Sequence, residues 1–326
     1  MRAVVYDRYG GPEVLRLDEV ATPRVDGPDG AGRVLVRIHA ASVNSWDRDN
    51  LQGAAINRLA LGPLRPRVRI LGGDISGVVE AVGPGVTRFR PGDEVFGDLS
   101  TSGWGAFAEY VAAPEAALTR KPAGLSHRDA AAMPQAAVLA LQGIDDPGDV
   151  HGGSRVLING AGGGLGSFAV QLAASRGAEV TGVDSAPKLD LLRELGAEHV
   201  LDYRAADFTR SDSRYDVVLD CELHRPITDG LRVLADGGRY TVVGGALTRI
   251  LGAVLRGRRV SRSPSGQTVE LLQHKPNHRL ADLGDRAASG AIRPAIERVY
   301  SLDEVPLAMQ RMCEGLVVGK AVIAAR

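Results

Sequence analysis

From Met1 to about Pro122 the apolar positions come in short β-branched runs, Arg33–His39, Ile75–Val82, Glu94–Phe96 and Phe107–Val111, divided by Gly, Pro and Asp. Runs of this length and composition predict strands, so the segment reads as a small all-β unit. Gly83-Pro84-Gly85 and Arg90-Pro91-Gly92-Asp93 supply the φ freedom and the fixed φ that tight reversals need. Between Ser42 and Arg69 the β pattern lapses, which predicts loop and a short helix. After Ser126 an alanine-rich apolar segment runs through Leu141, and β runs then alternate with helical ones. Arg155–Asn159, Glu179–Asp184, His199–Leu201, Tyr215–Asp220 and Arg239–Val243 are the expected strands. Ser167–Arg176 and Lys188–Leu195 are the expected helices, with Gly177 and Gly196 as C-caps. Such alternation implies right-handed βαβ units and a parallel sheet, an α/β class. Beyond Lys275 the pattern predicts a helix (Arg279–Ser289), a strand (Ile296–Tyr300), a helix (Leu302–Glu314) and a last strand (Lys320–Ala324).

The 326 residues are enough for about two domains at roughly 150 residues each. Thirty-nine basic residues balance thirty-nine acidic ones, which removes the bulk electrostatic case for a nucleic-acid or anionic-membrane partner. The two cysteines, Cys221 and Cys313, supply neither a disulfide framework nor a Cys₄ zinc site, consistent with a reducing compartment. Met1–Tyr6 turns polar at Asp7 without the apolar run of a signal peptide, and no stretch approaches eighteen uninterrupted apolar residues. A cytoplasmic protein is the expectation. Arg249, Arg256, Arg258, Arg259 and Arg262 stand among apolar positions between 249 and 262, which reads as a solvated amphipathic face.

The strand Arg155–Asn159 runs into Gly160-Ala161-Gly162-Gly163-Gly164-Leu165-Gly166 and then into the helix expected near Ser167. Gly160, Gly163 and Gly166 give the spacing GxxGxxG between strand and helix. Glycine there permits a tight turn, close approach of a pyrophosphate to the backbone, and close packing of helix on strand. Gly160, Gly163, Gly164, Leu165 and Gly166 are the expected cofactor contacts, with free N–H groups and the positive end of the helix dipole facing the anion. Asp184 follows Gly166 by eighteen positions at the end of the next strand. A carboxylate there accepts from both adenosine ribose hydroxyls, which favours NADH. Ser185 and Lys188 in the same turn suit the 2′-phosphate of NADPH. A carboxylate about 4 Å from that phosphate would cost several kcal/mol at intermediate dielectric unless it points away. The residues leave both cofactors open.

The whole chain resembles the medium-chain dehydrogenase/reductase superfamily in its zinc-free, quinone-oxidoreductase-like branch. The resemblance rests on Met1–Tyr6, Pro12-Glu13-Val14-Leu15, Ala41-Ser42-Val43-Asn44, Gly77–Gly83, Gly92-Asp93-Glu94-Val95, Gly105–Val111, the glycine turn, Leu195-Gly196-Ala197 and Gly319-Lys320-Ala321-Val322. It implies a Rossmann doubly wound parallel sheet, residues 123–275, inserted in a GroES-like β domain made of residues 1–122 and 276–326. Substrate and nicotinamide would meet in the cleft between them. It implies cofactor contacts from Val243, Gly244, Gly245 and Lys320 besides the glycine turn, with a slight lean to NADPH. A homodimer through the edge strand near Gly266–Leu272 is also implied.

Where zinc-dependent members have a cysteine and a Gly-His-Glu run, this chain has Asn44 and Gly72-Gly73-Asp74. A neutral amide and a glycine make poor zinc ligands, so no metal site is expected. The resemblance makes Asn44 an amide donor or ribose contact and Asp47 an orienting or proton-relay group; their residue types alone also suit a turn cap and a helix N-terminus. Tyr6 and Trp46 are further candidates to shape the pocket. The implied activity is hydride transfer from NAD(P)H to a quinone or an α,β-unsaturated carbonyl. Three features depart from the family: Gln135 after Met133-Pro134, Leu139 at a threonine place, and Asp220-Cys221-Glu222-Leu223-His224 after the fourth strand. They suit a pathway-specific reductase, while a silent nucleotide-binding sensor is the reading from another class. Glu222 and His224 are acid/base candidates only if they face the cleft; Cys221 is expected as a small buried residue rather than a nucleophile.

Overall fold

The computed structural model describes every residue except 55–57, 59–61, 246, 261–264 and 326. It divides into two compact units, Met1–Val138 with Pro276–Arg326, and Leu139–Lys275. The first boundary falls at Val138 rather than 122 because the helix His127–Ala131 packs on the strands of the first unit. Among the described residues no helix is long and apolar enough to cross a membrane.

The first unit is built on one sheet whose neighbours are Ile296–Ser301, Lys320–Ala324, Arg33–Ser42, Asp74–Val82, Glu94–Asp98 and Thr119–Arg120, with Tyr110–Pro114 also paired to Arg33–Ser42. The two ends of the chain meet here: Val322 pairs with Ser42, and Ala324 with Ala40. Alternating positions Val34, Val36 and Ile38 are fully buried and pack with Ile75, Val79, Val95, Leu51 and Met309. That is the period-two pattern of a strand with one face on a core. The strand expected at Phe107–Val111 lies further on, at Tyr110–Pro114. The Phe107 amide instead donates to Leu71 and its carbonyl accepts from Val4, so this stretch pairs with other partners.

In the second unit six strands run parallel in the order His199–Asp202, Glu179–Asp184, Arg155–Asn159, Tyr215–Asp220, Leu234–Val242, Thr268–Leu271. Counted along the chain this is 3-2-1-4-5-6, the doubly wound dinucleotide order, which reverses next to Arg155–Asn159. The central strands are continuous apolar runs, with Val156, Leu157 and Ile158 fully buried, as a sheet covered on both faces requires. The helix after the glycine turn begins at Gly164, before the expected Ser167. The arginine-rich segment belongs to the helix Leu247–Val260, where Arg249 and Arg256 are exposed; Arg262 lies outside the described residues.

Candidate functional site

In the second unit Gly160 has φ +79°, a left-handed backbone that glycine adopts without strain. Gly163 is the extended N-cap of the helix Gly164–Ser175, and no side chain caps it. The first-turn amides of Gly164, Leu165 and Gly166 therefore face outward without a side-chain acceptor. A Cβ on Gly166 would stand 2.3 Å from the Gly160 carbonyl oxygen and 2.5 Å from Ala161 Cα, so only glycine lets the turn close on the helix. This cradle fits a diphosphate.

The end of the next strand is organised by Asp184. One carboxylate oxygen accepts from the Gly162 amide at 2.8 Å, and the other accepts from the Ser185 amide at 2.8 Å. Lys188 Nζ lies 3.5 Å from Asp184, and its aliphatic stem lies over Gly162, where a Cβ would meet it at 2.6 Å. Asp184, Ser185 and Lys188 thus come together beside the turn, and Asp184 braces it from below. The far wall lies beyond the strand ends Asp220 and Val242. The Val243 amide donates to Asp220, Leu223 donates to the Gly244 carbonyl, and Leu223 bridges Gly245. Open α/β sheets bind ligands at this carboxyl edge.

Asp220 itself is buried and held by the Asn159 amide at 2.8 Å and the Tyr240 hydroxyl at 2.6 Å. Burial pushes the Cys221 thiol well up, with the Asp220 charge adding to it, so a thiolate nucleophile is disfavoured. Glu222 and His224 lie 3.5 Å apart, with the His224 side chain exposed.

The first unit holds a buried polar cluster. Asn44 caps the helix Ser45–Gln52, and Asp47 reaches back to the Asn44 amide at 2.8 Å while accepting the Gly72 amide at 2.9 Å. That is half of a capping box. The Asn44 side chain does not complete it. Its Nδ2 donates to Asp74 at 2.9 Å, and its Oδ1 accepts from Lys320 Nζ at 2.5 Å. Lys320 also donates to the Val43 carbonyl and stands 3.6 Å from Asp74. Asp74 is completed by Ser42 Oγ at 3.1 Å and the Gln135 amide at 3.1 Å. Asp47, Asp74 and Lys320 are almost wholly removed from solvent. Lys320, expected at the cofactor, thus has its ammonium engaged by Asn44, Val43 and Asp74. Tyr6 is fully buried with its phenol pushed up by burial, and Trp46 is about one-third exposed.

Burial raises the Asp47 carboxyl to about 7 against the two amides that stabilise its anion. Asp74 rises to about 6 by burial, opposed by the Lys320 charge. An acid raised in the folded state holds a proton that the unfolded chain releases near its ordinary pKa. The stabilisation is therefore present at low pH and lost as pH rises from about 4 towards 7. Asp47→Asn removes this titration and one acceptor. The stability gap between wild type and Asp47→Asn, read from urea unfolding, is expected to be larger at pH 5 than at pH 8; a gap that does not change with pH would contradict the buried proton.

A zinc ion does not fit these residues. Both ends of the Asn44 amide are taken, Gly72 and Gly73 offer no ligand, and an ammonium already occupies the cluster. The part of Lys320 was not legible in the sequence, because its partner Asn44 is 276 residues away.

Residues 30–123 match the alcohol dehydrogenase GroES-like domain family, and residues 195–323 the zinc-binding dehydrogenase family. The chain is 32% identical over 354 residues to the mitochondrial NAD(P)H oxidoreductase RTN4IP1 of Homo sapiens, covering 99% of this chain and 89% of that protein. It is 31% identical over 341 residues to the 2-methylene-furan-3-one reductase of Solanum lycopersicum, covering 99% and 79%. The structure of the quinone oxidoreductase from Coxiella burnetii superposes with a TM-score of 0.87 at 28% identity, covering 100% of this chain and 99% of that one. The chain belongs to the medium-chain dehydrogenase/reductase superfamily, in its quinone-oxidoreductase branch. It is an NAD(P)H-dependent oxidoreductase with a GroES-like domain and a parallel α/β nucleotide sheet.

Proposed function

We propose that this chain reduces a quinone or an α,β-unsaturated carbonyl at the expense of NAD(P)H and without zinc. The observation behind this reading is the Asn44–Asp74–Lys320 cluster, which has an amide at a place where zinc-dependent members keep a ligand and an ammonium held against it. Without a Lewis acid, an isolated ketone loses its usual activation. A conjugated acceptor spreads its developing charge onto oxygen, where hydrogen-bond donors suffice. A reduced nicotinamide, when bound, supplies the hydride.

The protein's part is to hold and orient. Gly164, Leu165 and Gly166 offer their amides to the diphosphate, while the Gly163 amide is closed on the Gly160 carbonyl; Asp184, Ser185 and Lys188 receive the adenosine ribose; Val243, Gly244 and Gly245 form the wall beyond the strand ends. Asn44 is placed by Lys320 and Asp74, and Asp47 fixes the start of its helix by closing on the Asn44 and Gly72 amides.

The test is a panel of quinones, enones and saturated ketones, followed through loss of reduced-nicotinamide absorbance with each cofactor. Turnover of conjugated acceptors with little of saturated ketones is expected. Cofactor binding with no turnover of any conjugated acceptor would sink the reading.

The strand Thr268–Leu271 is the sheet's edge. It pairs with Leu234–Val242 and leaves Thr268, Glu270 and Leu271 exposed. A strand at the end of a sheet presents backbone groups that can pair with a second copy. A homodimer is part of the proposal, and light scattering that returns the mass of one chain would refute it.

A further inference from the structure

Several buried polar side-chain atoms of the first unit lack a hydrogen-bond partner among the described residues, and two of them, on Ser100 and Gln135, lie beside the Asp74–Asp98 strand pair. Ser100 is 8% exposed and Gln135 is 3% exposed. Neither the Ser100 hydroxyl nor Gln135 Nε2 has a hydrogen-bond partner among the described residues. Buried donors are normally paired, so each of these orphans calls for an explanation.

Their backbones start from neighbouring points. The Ser100 amide donates to Asp98 Oδ1 at 2.7 Å, and the Gln135 amide donates to Asp74 Oδ1 at 3.1 Å. Asp74 and Asp98 sit opposite each other on adjacent strands. Gly73 lies beside them without a side chain; a Cβ there would stand 3.3 Å from Ser100 Cβ and 3.5 Å from the Trp104 ring. Trp104 has φ +61°, a left-handed backbone unusual for a bulky residue. Its amide donates to the Leu99 carbonyl, which holds the turn. Strain of this kind gathers at ligand clamps.

We infer that the Ser100 hydroxyl and Gln135 Nε2 are the donors that receive the carbonyl oxygen of the acceptor. This rests on the proposed reduction. The acceptor gains a hydride at its β-carbon, its C=C electron pair moves to form the enolate, and the reduced nicotinamide is oxidised. The enolate oxygen is then held by the two neutral donors. Water delivers a proton to the α-carbon, and the oxygen electron pair restores the carbonyl. With a quinone, the hydride and one proton from water together give the hydroquinone. Gln135, one of the departures from the family noted above, thereby acquires a use.

The test compares Ser100→Ala, Gln135→Met and the double variant with wild type in two measurements. One is kcat/KM for a single enone. The other is titration with 4-nitrophenol, whose coloured phenolate mimics the enolate and reports its own ionisation when bound. Each single variant is expected to lose about 10²–10³-fold in kcat/KM, the double variant less than the product, with the dissociation constant of reduced cofactor unchanged. Wild type is expected to bind the phenolate form, and the variants to lose that preference. Ser100→Thr, which keeps the hydroxyl, should restore both readouts and separates a lost donor from a damaged fold. Phenolate binding that needs both side chains, in a wild type that turns over no acceptor, would sink the functional reading and support the donor pair. Turnover in wild type with variants within twofold of it, and nitrophenol binding unchanged, overturns the inference.

Discussion

Lys320→Met is expected to destabilise the first unit by about 3–5 kcal/mol, the usual penalty for stranding one partner of a buried ion pair. The ammonium is fully buried and donates to Asn44 and Val43 while facing Asp74. Methionine keeps most of the volume and leaves Asp74 without its cation and Asn44 Oδ1 without its donor. Burial holds the Lys320 pKa down, with the charges of Asp74 and Asp47 opposing this. The loss would be read as a lower urea midpoint. Adding Asp74→Asn to Lys320→Met removes the stranded charge and is expected to recover much of it. If Lys320→Met unfolds at the wild-type midpoint, the cluster does not hold the fold in the way described.

Gly166→Val is expected to abolish cofactor binding. Even the first carbon of the new side chain would overlap the Gly160 carbonyl at 2.3 Å and Ala161 Cα at 2.5 Å. The turn would have to open, and the amides of Gly164 and Leu165 would lose their common aim. Ligand at 100 times its dissociation constant stabilises a protein by about 2.7 kcal/mol, so wild type should melt measurably higher with saturating NADPH or NADH. The variant should show no such gain. A variant that keeps the full gain would mean the diphosphate sits elsewhere.

The nucleotide half was legible because its signals are local. A βαβ alternation, a glycine turn and an acidic strand end lie within about thirty residues, and each follows from backbone geometry alone. Even there the helix starts at Gly164, ahead of the Ser167 that its pattern suggests. Glycine has poor helix propensity, yet Gly164 and Gly166 form the first turn because only a bare backbone packs against Gly160 and Ala161. The first unit was less legible because its decisive contacts are remote in sequence. Asn44 and Asp47 read equally well as helix caps or as site groups, and the structure shows Asp47 closing half a capping box while the Asn44 side chain turns to Asp74 and Lys320. Nothing local in Gly319-Lys320-Ala321 announces a fully buried ammonium. In the sequence Gln135 is only a departure from a family pattern; the structure adds that its backbone amide is tied to Asp74 while its side-chain Nε2 is left without a partner.

Metal content and turnover measured on the same purified sample test the central claim most directly. After dialysis against a strong chelator, the chain should contain far less than one zinc per protomer and still oxidise NADPH or NADH with an enone or quinone at its original rate, unchanged by added zinc. Turnover that disappears with the metal and returns in proportion to zinc restored would contradict the account.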